Sequence, residues 1–128
     1  MPYDCGREQN RLYEGNAMNG SAVAELLAKV ASLEELIAYQ TGSVVSRALI
    51  KKPAGTVTLF AFDAEQELSE HTAPHDAMVY LVEGELDLTM AGKSFHLTGG
   101  QVMLLPANQP HALKASQRSK MLLVMVRA

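Results

Sequence analysis

From Ser43 to the end of the chain, apolar residues recur at every second position, and short runs of this pattern are cut at close intervals by turn-forming residues. A period of two matches the alternation of side chains across a pleated strand and no helix can satisfy it. The runs are Ser43 to Ile50, Thr56 to Phe62, Met78 to Val82, Leu86 to Met90, Ser94 to Leu97, Gln101 to Leu105, His111 to Ala115 and Lys120 to Val126. Between them lie Pro53-Ala54-Gly55, Glu83-Gly84, Ala91-Gly92, Gly99-Gly100 and Pro106-Ala107-Asn108. So many short strands at this spacing predict an all-β sandwich or barrel. Leu86, Leu88 and Met90 alternate with Asp87 and Thr89, the mark of a strand with one wet face. Met121 to Val126 is apolar throughout and needs cover on both faces, so it is expected at the centre of a sheet or in an interface.

The first 40 residues read differently. Residues 1–20 are rich in Asn, Gly, Arg and Glu without a period and are expected to form an irregular arm. Over residues 21–40, Val23, Leu26, Leu27, Val30, Leu33 and Ile37 recur at helical spacing behind a candidate N-cap at Ser21, which predicts a helical segment. Ser32-Leu33-Glu34-Glu35 is itself a capping-box sequence, so two short helices are an alternative to one. The 128 residues suit one domain, with the barrel or sandwich over residues 41–128.

Composition excludes several partners. With a formal charge of -3 and only isolated cations such as Lys51-Lys52, the chain has no field to attract nucleic acid. Cys5 is the single cysteine, so no internal disulfide forms and a reducing, cytoplasmic setting is expected. No charged segment followed by an apolar run opens the sequence, and the longest apolar run is far too short to span a bilayer, so no membrane association is expected.

All four histidines, His71, His75, His96 and His111, fall in one stretch of the strand-rich region. His96 shares a side with Ser94, opposite Phe95 and Leu97, and is expected at the surface. His71 stands thirteen residues before Gly84, and Gly100 leads through Pro106 to Pro110-His111. These spacings resemble the two signature motifs of the cupin superfamily. Motif 1 runs glycine, five residues, His-x-His, three or four residues, Glu, six residues, glycine. Aligned on Gly84, it places its first histidine on His71, its second on Ala73, its glutamate on Ala77 and its leading glycine on Glu65. Motif 2 runs glycine, five residues, Pro-x-Gly, two residues, His, three residues, Asn. It falls on Gly100, Pro106, Asn108, His111 and Ala115, with Asn108 in place of glycine and Ala115 in place of asparagine.

The resemblance implies an RmlC-like double-stranded β-helix, a jelly-roll barrel of the small single-domain bacterial kind, preceded here by the short helical segment. It also implies homodimerisation, for which the arm, the helix and the apolar final strand are available surfaces. In such barrels a divalent metal (Zn, Fe, Mn or Ni) sits on the motif histidines; here only His71 and His111 stand in metal positions. His75 is the candidate third ligand if the chain bends at Pro74, since in a straight strand it would lie about 13 Å from His71. Asp76 is a candidate oxygen donor. Ala73, Ala77, Phe60 and Phe62 are candidate pocket-lining residues, and Arg47 is a candidate to face the pocket and bind an anion. Two functions from different classes follow. One is a small-molecule-binding barrel, with or without a weakly held metal; the other is a metal-dependent enzyme of dioxygenase, isomerase or lyase type acting on an oxygen-rich substrate. Acid–base catalysis by His71 or His111 without metal is a third.

Overall fold

The computed structural model describes residues 26–127. Nine strands follow one another: β1 (Val44–Lys52), β2 (Gly55–Phe62), β3 (Glu67–His71), β4 (Asp76–Glu83), β5 (Glu85–Met90), β6 (Lys93–Thr98), β7 (Val102–Leu105), β8 (His111–Ala115) and β9 (Ser119–Val126). They form two antiparallel sheets, one in the order β1-β2-β9-β4-β7 and the other β3-β8-β5-β6. The architecture is the all-β sandwich expected from the alternating pattern, in the jelly-roll form that the motif resemblance implies. Eight of the strands lie within two residues or so of the runs read from the sequence. The ninth, β3, is not among those runs, because Glu-Leu-Ser-Glu-His offers a single apolar residue, Leu68, to carry an alternation.

The inner faces of the two sheets interdigitate as one core. β5 contributes Leu86 and Leu88 and β4 contributes Val79 and Leu81, all fully buried. Each such side chain contributes roughly 1.5–3 kcal/mol by leaving water. The apolar final strand, β9, is central, paired with β2 on one side and β4 on the other. Met121, Leu123 and Met125 point into the core, and Leu122 packs on the outer face. Hence both of its faces are apolar.

Gly84 makes the β4–β5 turn possible. Its φ of +97° lies where side-chain-bearing residues are strained, and a Cβ there would sit 2.3 Å from Ser119 Oγ and 2.4 Å from the Arg118 carbonyl oxygen. The Ser119 hydroxyl uses that closeness: it accepts from the Glu85 N–H at 3.0 Å. At the β5–β6 hairpin, Ala91 and Gly92 both have positive φ, the type I′ pattern that matches strand twist.

The helical segment expected over residues 21–40 does not run on through its described part, where Leu26 is helical and a turn follows it. Residues 29–32 and 36–40 are non-helical, and only Leu33–Glu35 make a 3-10 turn. Residues 1–25, including the expected arm, lie outside the described residues. The reason is tertiary. Ile37 is buried against Leu59 and Ala61 on the outer face of the large sheet, with Leu36, Tyr39, Val45, Leu49, Val82 and Leu122 packed around them. A strap running over a sheet buries these residues, whereas helical winding would turn some of them away. Polar contacts pin it: Arg47 Nη1 donates to the Leu36 carbonyl at 2.7 Å, Lys120 Nζ donates to the Glu34 carbonyl, and the Tyr39 hydroxyl donates to Glu83 Oε2 at 2.6 Å. Burial, with the Glu83 carboxylate beside it, pushes the Tyr39 phenol pKa up.

Candidate functional site

Two strands deliver the two motif histidines to one place. His71 ends β3, His111 begins β8, and the two are direct cross-strand partners. An irregularity between Leu68 and His71 breaks the simple alternation there. The rings meet edge to face with centroids 4.4 Å apart, and both residues are buried.

Their orientation is set in the same way. His71 Nδ1 lies 2.8 Å from the Ser69 carbonyl oxygen, and His111 Nδ1 lies 3.0 Å from that of Gln109, each two residues earlier. A carbonyl can only accept, so each Nδ1 carries the hydrogen and Nε2 of the neutral ring is an acceptor. Burial holds the His111 pKa below the ordinary histidine range; the charge a protonated His71 would carry pushes the same way, and the Gln109 carbonyl opposes it. His111 is therefore a neutral imidazole near pH 7.

The pair looks into a cavity otherwise lined by apolar side chains: Leu68 and Leu113 from the small sheet, Val79, Leu105, Leu123 and Met125 from the large one, and the two alanines Ala73 and Ala77. It is a small cavity of about 20 Å³. That exceeds what one water needs and accommodates a ligand group of a few heavy atoms. Backbone contacts hold the surrounding loops: the Asn108 N–H donates to the Ala73 carbonyl at 2.8 Å, and the Ala107 N–H to Asp76 Oδ1 at 2.9 Å.

The structure thus brings His71, His111, Ala73 and Ala77 together at one cavity. It does not bring His75 there. That residue sits half-buried in the bend before β4, and among the described residues no three His, Cys, Asp or Glu side chains converge as a metal site. Asp76 is engaged with the Ala107 N–H instead. Arg47 faces the other way. It pairs with Leu59, whose side chain belongs to the outer cluster with Ile37, so alternation carries the guanidinium to the outer face. Phe60 and Phe62 are fully buried, their ring centroids 6.3 Å apart, but they pack at the Ser119–Met121 end of β9, away from the cavity-lining Leu123 and Met125. Sequence reasoning does not single out the lining residues Leu68, Val79, Leu105, Leu113, Leu123 and Met125. Their only signal is the inward parity of their strands, and Leu68 lies in the strand that the alternating pattern misses.

His96 lies on the exposed face of β6, as its alternation requires. Its Nδ1 is 2.7 Å from Asp87 Oδ1 and its Nε2 is 3.0 Å from Glu85 Oε1. Those two carboxylates, Asp87 the more strongly, raise its pKa.

Comparison with known proteins agrees with the motifs and the fold. The sequence profile of the family described as "Cupin domain" matches residues 58–127, more than half of the chain. A crystal structure of a conserved protein of unknown function from Streptococcus pyogenes is similar at 34% identity and a TM-score of 0.76, over 79% of this chain and 89% of that one. A cupin superfamily protein from Desulfitobacterium hafniense has 26% identity and a TM-score of 0.76, over 79% and 93%. A Cupin 2 conserved barrel domain protein from Leptotrichia buccalis reaches 38% identity and a TM-score of 0.71 over 73% of this chain, which spans 46% of that longer chain. No curated protein matches at a significant level. The chain belongs to the cupin domain family.

Proposed function

We propose that this cupin barrel binds a small molecule between the His71–His111 pair and the apolar wall, and that it is not a metalloenzyme of the usual three-donor kind. The observation that carries this reading is the donor set. Where motif 1 has a second histidine and a glutamate, the cavity has the methyl groups of Ala73 and Ala77. Two imidazoles remain where a catalytic metal site ordinarily has three protein donors. The residues present therefore do not complete a site for Zn, Fe, Mn or Ni.

One observation favours a second reading, a weakly held metal. Each ring donates its Nδ1 hydrogen to a carbonyl, the arrangement that commonly orients metal-bound histidines through Nε2. Elemental analysis of protein purified without affinity tag or chelator separates the two. Substoichiometric metal, unchanged in His71→Ala and His111→Ala variants that remain folded, supports the binding module. One equivalent of metal lost in both variants contradicts it and supports the metal-dependent enzyme.

Pairing of two copies through the outer face of the large sheet is part of the same proposal. Ile50, Val57, Val124, Met78 and Leu104 form one continuous row across all five strands. Ile50 and Leu104 are 51% and 71% exposed. A row without charge offers nothing to select a partner of opposite sign and is self-complementary about a two-fold axis. Light scattering is expected to give a dimer mass, and a monomer at micromolar concentration would remove this part of the proposal. A single cysteine in the chain supports a reducing, cytoplasmic location, and among the described residues no helix is long and apolar enough to cross a membrane.

A further inference from the structure

The chemistry of the cavity wall restricts what can enter, an inference that rests on the small-molecule reading above. Among the side chains lining the cavity only the two imidazoles are polar. The Nδ1 hydrogen of each is already given to a backbone carbonyl, so the neutral His111 ring has Nε2 as an acceptor, and apart from His71 no other lining side chain carries a hydrogen to donate. Among the lining residues there is no Lys or Arg to balance an anion, and Arg47 is bonded to the Leu36 carbonyl on the far side of the sheet. A carboxylate, phosphate or ketone would bring its lone pairs against the lone pair of His111 and lose its water without replacement. A cationic ligand would enter an apolar enclosure without a carboxylate among the lining residues.

We propose that the cavity takes an uncharged molecule, or the tip of one, consisting of a hydroxyl on a short branched apolar body. The hydroxyl hydrogen is donated to His111 Nε2, while the methyl groups pack against Leu123, Met125 and Ala77. The alanines at the two missing donor positions supply the room. A glutamate at position 77 or a histidine at position 73 would fill it and reverse its chemistry.

Three probes of similar bulk test this on the whole protein, read by the NMR shift of the His111 imidazole nitrogens and of the Met125 methyl. Isopropanol offers the hydroxyl, acetone has the same shape with an acceptor only, and xenon reports an apolar cavity whatever its polar groups. Isopropanol is expected to move both signals with saturation below about 100 mM, weak as befits four heavy atoms. Acetone is expected to bind at least about tenfold more weakly, the loss of one hydrogen bond set against an added lone-pair clash. His111→Phe retains the ring bulk without the acceptor, and it should lose the preference for isopropanol over acetone while still binding xenon, which also shows that the variant is folded. Equal binding of acetone and isopropanol overturns the hydroxyl assignment and leaves the small-molecule reading standing. Xenon entering where isopropanol does not has the same meaning. Failure of all three probes overturns both the inference and the reading on which it rests.

Discussion

His96 and His111 sit on the two strands that flank β5, and the small sheet pushes the pKa values of their rings in opposite directions. On the inner side, His111 has a neutral carbonyl on Nδ1 and hydrocarbon around the rest of the ring, so its pKa falls below the ordinary range. On the outer side, His96 has a carboxylate on each nitrogen, from Asp87 and Glu85 of β5 itself, and its pKa rises. The same side chain is pushed toward the neutral acceptor form in one place and toward the cation in the other. The controlling variable is the face of the small sheet on which a ring lies: that of the buried Leu86 and Leu88 for His111, that of Glu85 and Asp87 for His96. Counting histidines misses this difference; following strand parity does not.

Substitutions on β5 break the comparison most severely from its inner side. Leu88→Ala is expected to cost about 2–5 kcal/mol in denaturant unfolding, because Leu88 is fully buried and its loss opens a cavity. Asp87→Asn, next to it on the outer face, should change stability by less than about 1 kcal/mol, as exposed ion pairs do. Comparable losses for the two would show that the faces are not energetically distinct.

Ala77→Glu sharpens the comparison from within the cavity. Without metal the new carboxylate has no partner among the lining side chains, and its burial is expected to cost on the order of 1–3 kcal/mol. With Zn or Ni present the variant should regain thermal stability and bind metal at least about tenfold more tightly than the parent chain, which is about 1.4 kcal/mol. Thermal unfolding with chelator and then with metal measures both. Indifference to metal would show that the absent glutamate is not what separates this site from a metal centre.

Much of the fold and the heart of the site are legible in the amino-acid sequence. A sandwich or barrel follows from the period of two, while the jelly roll and the neighbouring of His71 and His111 follow from the resemblance carried by the two motif spacings. Glu65 and Asn108, which occupy the motif positions for glycine, both have left-handed φ, +68° and +66°, a conformation asparagine tolerates better than glutamate. Other features depend on tertiary context. The helical spacing gives way after Leu26 because Ile37 has more to bury against Leu59 and Ala61 than a lone helix offers. The direction of Arg47 is hidden because Val44 to Ile50 is apolar on both faces, and only pairing with Leu59 shows which one is outward. For His75 to join the site, a bend at Pro74 would have to carry it inward; the chain bends there without doing so.

The smallest expected effect is in the pH dependence of stability. With its folded pKa raised, His96 contributes stability that is fully present below its unfolded value near 6.5 and lost as pH rises through the folded pKa. His111, with its folded pKa lowered, acts oppositely: its penalty appears as pH falls below that same unfolded value, where the unfolded ring takes up a proton the folded ring resists. Unfolding of His96→Gln followed from about pH 5 to about pH 9, which brackets ordinary histidine titration, should lack the decline on the alkaline side and keep the one on the acid side. An alkaline decline that survives the substitution would mean that some other group causes it.

Imidazole nitrogen NMR across a pH titration tests the central claim most directly, because it reports tautomer and charge for each ring separately. His111 should show an Nδ1–H tautomer at neutral pH and titrate below the ordinary range, with His96 titrating above it. An Nε2–H tautomer at His111, or protonation of His111 at a higher pH than His96, would contradict the account of the cavity as a neutral acceptor site.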